Sequence, residues 1–232
     1  IFTGRGDFIR AGDELLNQIR EHCLLMPDHR ILDVGCGIGR MARPLTRYLS
    51  QKGSYEGFDI VEEGIRWCRK HYVSWPNFHF QHIPLRNDLY NLETSKTATS
   101  FSFPWPENEF DQVILISVFT HMQPAEVAHY LKEIRRVLRA KGHVFASFFL
   151  ISSEAEKIMN RSPKPFFTYD HGDYMLHNER VRDANIAFRM EKLEAMAHEA
   201  GLKIKSIHPG WWPGRSEESC LNFQDIVIFT IP

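Results

Sequence analysis

The amino-acid sequence predicts an α/β protein with a doubly wound, seven-stranded, mostly parallel sheet that ends in an antiparallel hairpin strand. Strand-like and helix-like segments alternate five times along the chain, which is typical of a parallel sheet with helices on both faces. The last two strand-like segments have no helix between them, so they can pair as a hairpin. A glycine cluster follows the first strand, where sheets of this kind bind ligands.

The first half of the chain is predicted to hold a leading helix and three strands. In the leading helix, Leu15, Ile19 and Cys23 recur at helical spacing and form one apolar stripe. Short apolar runs and amphipathic stretches then alternate until a long segment rich in turn-forming residues begins. These elements are a helix at 8–25, a strand at 30–34, a helix at 40–50, a strand at 54–60, a helix at 61–72, a strand at 77–83 and an irregular segment at 84–109.

The second half is predicted to supply the remaining four strands. Its first helix begins with Pro124 at the first helical position and is expected to end at Gly142, which would act as a C-terminal cap. Aromatic and charged residues then interrupt the alternation. These elements are a strand at 110–117, a helix at 124–142, a strand at 143–150, an irregular insertion at 151–182, a helix at 185–201 and two strands at 202–208 and 225–231.

Length and composition predict one domain spanning 1–232, with 1–29 as an N-terminal helix and lid and 151–182 as a cap insertion. The chain has 232 residues, of which 43% are hydrophobic and 25% charged, and a net charge of −1. A nucleic-acid-binding protein usually carries a basic excess, so no nucleic-acid partner is expected. No apolar run reaches the roughly 18 residues of a membrane span, so no membrane partner is expected. The oligomeric state is left open, and a homodimer is one option.

The cysteines and histidines predict no metal site. The four cysteines are scattered without a Cys-x-x-Cys pair, which argues against both a zinc site and a disulfide framework. The twelve histidines include no His-Glu-x-x-His run. Free cysteines fit a reducing compartment, and the expected location is therefore the cytoplasm.

The glycine cluster predicts a loop that holds a ligand. Gly35, Gly37 and Gly39 have the spacing G-x-G-x-G directly after the first strand, with Asp33 just before them. The dinucleotide fingerprint is G-x-G-x-x-G, so the third glycine comes one residue early and NAD or FAD is disfavoured. The alternative is a tight strand-to-helix turn, although three glycines in five residues exceed what a turn requires.

Asp59 is the second indication of a nucleotide. It lies at the end of the second strand, 20 residues after Gly39. A carboxylate at this position can accept hydrogen bonds from both ribose hydroxyls. It could instead cap the following helix, but its spacing from the glycine loop favours ribose binding.

Four segments together resemble the class I S-adenosylmethionine-dependent methyltransferases. "ILDVGCGIGR" is similar to the first motif of that family and "YEGFDI" to its acidic second motif. "FPWPENEFDQVILISVFTHM" and "EIRRVLRAKGHVFASFF" resemble the segments around its fourth and fifth strands. The resemblance implies a Rossmann-like fold, a single methyltransferase domain, S-adenosyl-L-methionine as cofactor and S-adenosyl-L-homocysteine as product.

The resemblance also implies which residues contact the cofactor. The expected contacts are Asp33 near the amino group, Gly35, Cys36, Gly37 and Gly39 in the loop along the methionine part, Asp59 at the ribose, Ile60, His82 and Ile83 around the adenine, and Ser117 and Val118 at the methionine end. Many members carry an acid after the third strand that binds the adenine amino group, but Pro84 stands there in this chain. Adenine recognition would then rest on backbone groups, unless the register differs by one or two residues.

Methyl transfer to a hydroxyl usually requires a general base, and His121 is the candidate. It follows the fourth strand and so lies at the ligand edge of the predicted sheet. The alternative is a histidine that packs at the start of a helix. Phe2, Phe8 and Phe119 could stabilise the cationic sulfur with their ring faces, or they could be ordinary core residues.

The acceptor is expected to be a small molecule methylated on oxygen or nitrogen. Its candidate contacts are aromatic residues near the predicted ligand edge: Phe119, Tyr169, Tyr174 and Trp211. Residues 151–182 are also compatible with an ordinary surface loop. The alternatives for the whole protein are a non-catalytic module that binds S-adenosylmethionine and a methyltransferase acting on RNA or protein.

Overall fold

The structure of the protein is a computed structural model that describes residues 7–90, 92 and 94–232. Phe2 and the first part of the predicted lid lie outside these residues. The helices are α1 (Phe8–Cys23), α2 (Ala42–Tyr48), α3 (Glu62–His71), α4 (Pro124–Val137), α5 (Ser153–Met159) and α6 (Met190–Glu199). Within the described part of the chain, no helix has both the length and the apolarity needed to cross a bilayer.

The strands form two sheets. They are β1 (Arg30–Val34), β2 (Ser54–Asp59), β3 (Phe78–His82), β4 (Phe110–Leu115), β5 (Leu138–Phe148), β6 (Leu150–Ile151), β7 (Tyr169–Asp170), β8 (Tyr174–Leu176), β9 (Ile186–Arg189), β10 (Lys203–His208) and β11 (Asp225–Thr230). The larger sheet has the order β10-β11-β5-β4-β1-β2-β3. Strands β1 to β5 pair in parallel, whereas β11 pairs antiparallel to both β5 and β10. The predicted fold class is therefore confirmed.

The strand order explains where a ligand can bind. The chain runs outward from β1 to β3 and then returns to β4 on the other side of β1. Loops from β1 and β4 therefore diverge to opposite faces of the sheet and leave a crevice at the carboxyl edge. Helices α1, α2 and α3 cover one face and α4 and α6 the other, and β1 is buried except at its first residue. This double burial explains why three of the five residues of β1, Ile31, Leu32 and Val34, are apolar.

The predicted helix at 124–142 is too long. Helix α4 ends at Val137, and Leu138 already pairs with Phe110 on β4. The next paired residue is His143, opposite Gln112, so four residues bulge from β5 and Lys141 within them has a φ of +69°. Gly142 caps no helix, because α4 ends five residues before it. Gly142 instead lies in the bulge, where a Cβ would be 2.6 Å from Leu138 Cδ1.

The expectation that residues 151–182 are irregular is also wrong, whereas their role as a cap stays a prediction. Strands β6, β9, β8 and β7 form a second sheet in that order, and α5 packs beside it. The predicted helix at 185–201 begins as strand β9, and only Met190–Glu199 is helical. Ala187 and Phe188 are both fully buried, so this short strand lacks the alternation that would distinguish it from a buried helix.

Candidate active site

A cleft opens at the carboxyl edge of the larger sheet. The residues that line it come from the ends of β1 and β2, from the segments after β1 to β4 and from α4: Val34, Gly35, Phe58, Asp59, Ile60, Leu85, Arg86, Asn87, Tyr90, Ala98, Ser117, Val118, His121, Met122, Glu126 and Tyr130. The cleft therefore lies where the sheet topology predicts a ligand.

The three glycines of the loop after β1 differ in how much space surrounds them. Gly35, Gly37 and Gly39 all have positive φ, at +72°, +56° and +80°. A Cβ on Gly35 would lie 2.5 Å from Val118 Cγ2, and one on Gly39 would lie 2.9 Å from the Tyr72 ring. A Cβ on Gly37 would meet nothing within 4 Å. Packing thus requires two of the glycines, whereas Gly37 faces open space that a ligand could enter.

Gly35→Ala is expected to destabilise the protein by roughly 2 to 4 kcal/mol, because overpacking adds to backbone strain. Urea unfolding measures this loss. Gly172→Ala is the matched control, since Gly172 has a φ of +81° but no atom within 4 Å of a built Cβ. Adding Val118→Ala should recover part of the stability that Gly35→Ala loses, because it removes the atom nearest the new Cβ. Equal losses for Gly35→Ala and Gly172→Ala would contradict the contact.

Asp59 joins the end of β2 to the glycine loop. Its Oδ2 accepts a hydrogen bond from the Gly37 amide and its Oδ1 from the Val61 amide, both at 2.8 Å. Burial raises the pKa of this carboxyl, although the backbone hydrogen bonds oppose the shift. Each carboxylate oxygen can accept more than one hydrogen bond, so Asp59 can hold the loop and still bind ribose hydroxyls from its position on the cleft wall.

Asp33 and Cys36 lie beneath the loop, and neither lines the cleft. Asp33 is 3% exposed and accepts a 2.6 Å hydrogen bond from the Tyr55 hydroxyl. Cys36 is buried, and its Sγ lies close to Gly57, where a Cβ would be 3.0 Å away. Their side chains therefore support the loop from the core, and a direct ligand contact by either remains a prediction.

The loop amides are mostly engaged within the protein. The amides of Gly35 and Cys36 both donate to the Phe58 carbonyl, at 2.8 and 3.0 Å, and the Gly37 amide donates to Asp59. These bonds pin the loop to the end of β2. The methionine carboxylate would therefore need donors other than these three amides.

Burial raises the pKa of Asp33 to about 7, which makes stability depend on pH. The native state then binds a proton that the unfolded state has already released, so stability should fall as pH rises from about 4 to about 7. Asp33→Asn keeps an acceptor for Tyr55 and removes the charge. It should flatten this dependence and raise stability above pH 7 by roughly 2 to 4 kcal/mol. Urea unfolding at several pH values tests this, with exposed Asp28→Asn as control; an unchanged slope in Asp33→Asn would contradict it.

The loop after β3 forms the wall beyond Ile60. His82 and Ile83 do not line the cleft: His82 Nε2 hydrogen-bonds with the Ile60 carbonyl at 3.2 Å, and the Ile83 amide donates to the Asp59 carbonyl. The wall residues are instead Leu85, Arg86, Asn87 and Tyr90. Sequence reasoning missed them because they lie in a segment that composition identifies only as turn-rich.

Ser117 has a φ of +58°, which is unusual for a residue other than glycine. Its amide donates to Ser147 Oγ at 2.7 Å and its hydroxyl to Gln224 Oε1 at 3.0 Å. These bonds hold the strained turn after β4, where Ser117 and Val118 both line the cleft. Backbone strain of this kind often accompanies functional sites.

His121 also lines the cleft, just after β4. Its Nδ1 lies 2.9 Å from the Asp183 carbonyl, which can only accept, so Nδ1 carries the proton. Nε2 then carries the lone pair of the neutral ring. Burial lowers the pKa of His121, which keeps the ring neutral near pH 7. A neutral imidazole on the wall of a cleft can act as a general base through its unprotonated nitrogen.

The four predicted acceptor contacts do not line this cleft. Phe119 is fully buried and stacks on Phe148 with ring centroids 4.9 Å apart, so it is a core residue. Tyr169 is exposed on β7, and the Tyr174 hydroxyl accepts a hydrogen bond from Arg182. Trp211 packs edge-on against Phe223. Phe8, a candidate for the cationic sulfur, begins α1 and does not line the cleft either.

Comparison with known proteins identifies the family. A family profile described as "Methyltransferase domain" matches residues 32–146, the segment that carries the glycine loop, Asp59 and His121. The chain belongs to the class I S-adenosylmethionine-dependent methyltransferases. Its cofactor is therefore S-adenosylmethionine.

Several relatives are methyltransferases. Methyltransferase GfsG of Streptomyces halstedii is 22% identical over 197 residues, which are 85% of this chain and 61% of that protein. The ubiquinone biosynthesis O-methyltransferase of Acinetobacter baylyi is 25% identical over 198 residues, 83% of this chain and 71% of that protein. The 23S rRNA uracil-C5 methyltransferase RlmD of an Enterobacter species is 30% identical over 114 residues, 47% of this chain and 23% of that protein.

Solved structures share the fold. The PH0226 protein of Pyrococcus horikoshii superimposes with a TM-score of 0.64 at 17% sequence identity, over 99% of this chain and 93% of that one. At this identity the similarity concerns the fold alone. The residues that line the cleft fit the cofactor, since Asp59 can accept hydrogen bonds from a ribose. Gly37 and Gly39 do not line the cleft, and their predicted contacts with the cofactor stay predictions. Among the described residues, no group of three His, Cys, Asp or Glu side chains could hold a metal ion.

Proposed function

We propose that the protein transfers a methyl group from S-adenosylmethionine to an oxygen or nitrogen atom of a small-molecule acceptor. The observation that carries this proposal is one continuous cleft that joins Asp59, the ribose candidate, to His121, the candidate base. The similarity to an O-methyltransferase over 83% of this chain supports the same reaction class.

The chain's own residues would supply binding and proton transfer. S-adenosylmethionine provides a methyl group already activated by positive sulfur. Asp59 would hold the ribose, Ile60 would pack on the adenine, and the turn at Ser117 and Val118 would border the methionine part. His121 Nε2 would accept the proton that an acceptor hydroxyl gives up, and alignment of the acceptor in the cleft would supply much of the rate.

An RNA substrate is the second candidate, because RlmD matches about half of this chain. The net charge of −1 favours a small molecule, since counterion release from phosphates requires a basic surface. A non-catalytic module is disfavoured by the available base on the cleft wall.

Ligand titration followed by an acceptor screen tests the proposal. S-adenosylmethionine and S-adenosylhomocysteine should raise the melting temperature, whereas NAD should not, because only ligands of the native state stabilise it. Methyl incorporation should then appear with members of a panel of phenols, alcohols and amines, and not with ribosomal RNA fragments. A shift with NAD alone, or incorporation into RNA alone, would overturn the proposal.

A further inference from the structure

Two polar side chains reach the cleft from α4 and lack a complete set of partners. Glu126 and Tyr130 are four residues apart on this helix, and both line the cleft. Glu126 Oε2 accepts a 2.8 Å hydrogen bond from the Gln123 amide, as part of a capping box. Neither Glu126 Oε1 nor the Tyr130 hydroxyl has a hydrogen-bond partner within the described part of the chain. Tyr130 is only 3% exposed, so its hydroxyl is the tip of an otherwise buried ring.

Glu126 Oε1 and the Tyr130 hydroxyl are not among the fully buried polar atoms without partners, so both are accessible from the cleft and can bind a ligand that enters it. The capping box accounts for only one carboxylate oxygen of Glu126. Burial raises the pKa values of both Glu126 and Tyr130, so the Tyr130 hydroxyl keeps its proton. The pair therefore presents a hydrogen-bond acceptor beside a group that can donate.

The surroundings favour a flat, apolar ring with a polar edge. Apolar side chains of the same cleft, including Phe58, Ile60 and Leu85, offer surfaces for the faces of such a ring. The 6-amino group of adenine donates hydrogen bonds, and the adjacent N1 accepts one. This order of donor and acceptor complements Glu126 and Tyr130. Hypoxanthine has a carbonyl oxygen and an N1–H group at the same positions, so its pattern is reversed.

We infer that Glu126 accepts the adenine 6-amino group and that Tyr130 donates to adenine N1, so that α4 selects the base of the cofactor. The inference rests on the proposed function, since it assumes that the adenosine lies in this cleft. It replaces the expectation that backbone groups near Pro84 recognise the base, and it gives that role to side chains on a helix after the fourth strand.

Binding of S-adenosylhomocysteine and of its deaminated analogue S-inosylhomocysteine tests the inference by isothermal titration calorimetry. The wild type should bind S-adenosylhomocysteine about 10- to 100-fold more tightly, because the analogue leaves mismatched polar groups. Glu126→Gln should reduce this preference to within about 3-fold, since an amide can also donate to a carbonyl oxygen. Tyr130→Phe should weaken S-adenosylhomocysteine binding by about 5-fold. Glu191→Gln, at an exposed first-turn position of α6, is the matched control.

The outcomes separate the inference from the proposed function. A wild type that binds neither compound would refute the proposed function. A wild type that binds both equally, or a Glu126→Gln variant that keeps the full preference, would overturn the inference alone. Glutamine retains the acceptor needed for the capping box, so this variant should fold. If circular dichroism shows that Glu126→Gln is unfolded, the Tyr130→Phe variant tests the inference instead. Unchanged affinity of Tyr130→Phe for S-adenosylhomocysteine would overturn it.

Discussion

Asp59→Asn is expected to weaken S-adenosylhomocysteine binding by about 10- to 100-fold. The carboxylate already accepts the amides of Gly37 and Val61, and it lines the cleft with capacity for two ribose hydroxyls. Asparagine has one acceptor oxygen, so it cannot serve two amides and two hydroxyls together. The side-chain NH₂ group of asparagine would also face the amide N–H of Gly37 or Val61, and two donors cannot bond to each other. This mismatch would disturb the glycine loop.

Calorimetric titration with S-adenosylhomocysteine measures this effect, and thermal unfolding without ligand shows whether the variant still folds. Asp28→Asn is a suitable control, because Asp28 is exposed and lies outside the cleft. Burial raises the pKa of the Asp59 carboxyl group, so burying this charge is unfavourable in the native state. The stability of unliganded Asp59→Asn near neutral pH should therefore change less than its affinity for S-adenosylhomocysteine. An affinity equal to that of the wild type would mean that Asp59 holds only the loop.

Local sequence features predict the ligand edge of the sheet well. The apolar run of β1, the glycines after it and the acid that ends β2 depend on residues close together in the chain, and burial of both sheet faces makes β1 easy to recognise. The same locality explains the error at α4. Whether Leu138 continues the helix or begins β5 is decided by its pairing with Phe110, which lies 28 residues earlier.

The second sheet shows where sequence reasoning fails. Its strands have two to four residues, and each is stabilised by partners far along the chain, such as Leu150 on β6 opposite Phe188 on β9. Segments this short have no measurable periodicity. Phe119 was open to either interpretation for the same reason, because only its stacking on Phe148 makes it a core residue.

The position of His121 in the sequence predicts where the candidate base lies, but it does not predict how the ring is oriented. His121 follows β4, and this alone predicts a place at the ligand edge. The carbonyl that fixes its tautomer belongs to Asp183, which is 62 residues away in the chain. The Asp183 carboxylate also accepts hydrogen bonds from Gln123 Nε2 and the Asp88 amide, at 3.1 and 3.0 Å. Asp183 thus connects His121 and the start of α4 to the loop after β3.

His121→Ala is expected to lower turnover with a hydroxyl acceptor by roughly 100-fold or more, while S-adenosylhomocysteine affinity changes little. The physical reason is the loss of the only proton acceptor proposed at the reacting end of the cleft. The acceptor found by the screen and a labelled methyl donor give the rate, and exposed His198→Ala is the control.

The pH dependence adds a second, independent measurement. The active form of His121 is the unprotonated ring, and burial lowers its pKa below the usual 6.5. The wild-type rate should therefore remain high as pH falls through 6.5 and decline only at a more acidic pH, whereas His121→Ala should lose that decline together with the rate.

An amine acceptor that enters the reaction as a free base needs no proton acceptor in the protein, so His121→Ala should affect it far less. An unchanged rate with a hydroxyl acceptor would make His121 a packing residue just before α4.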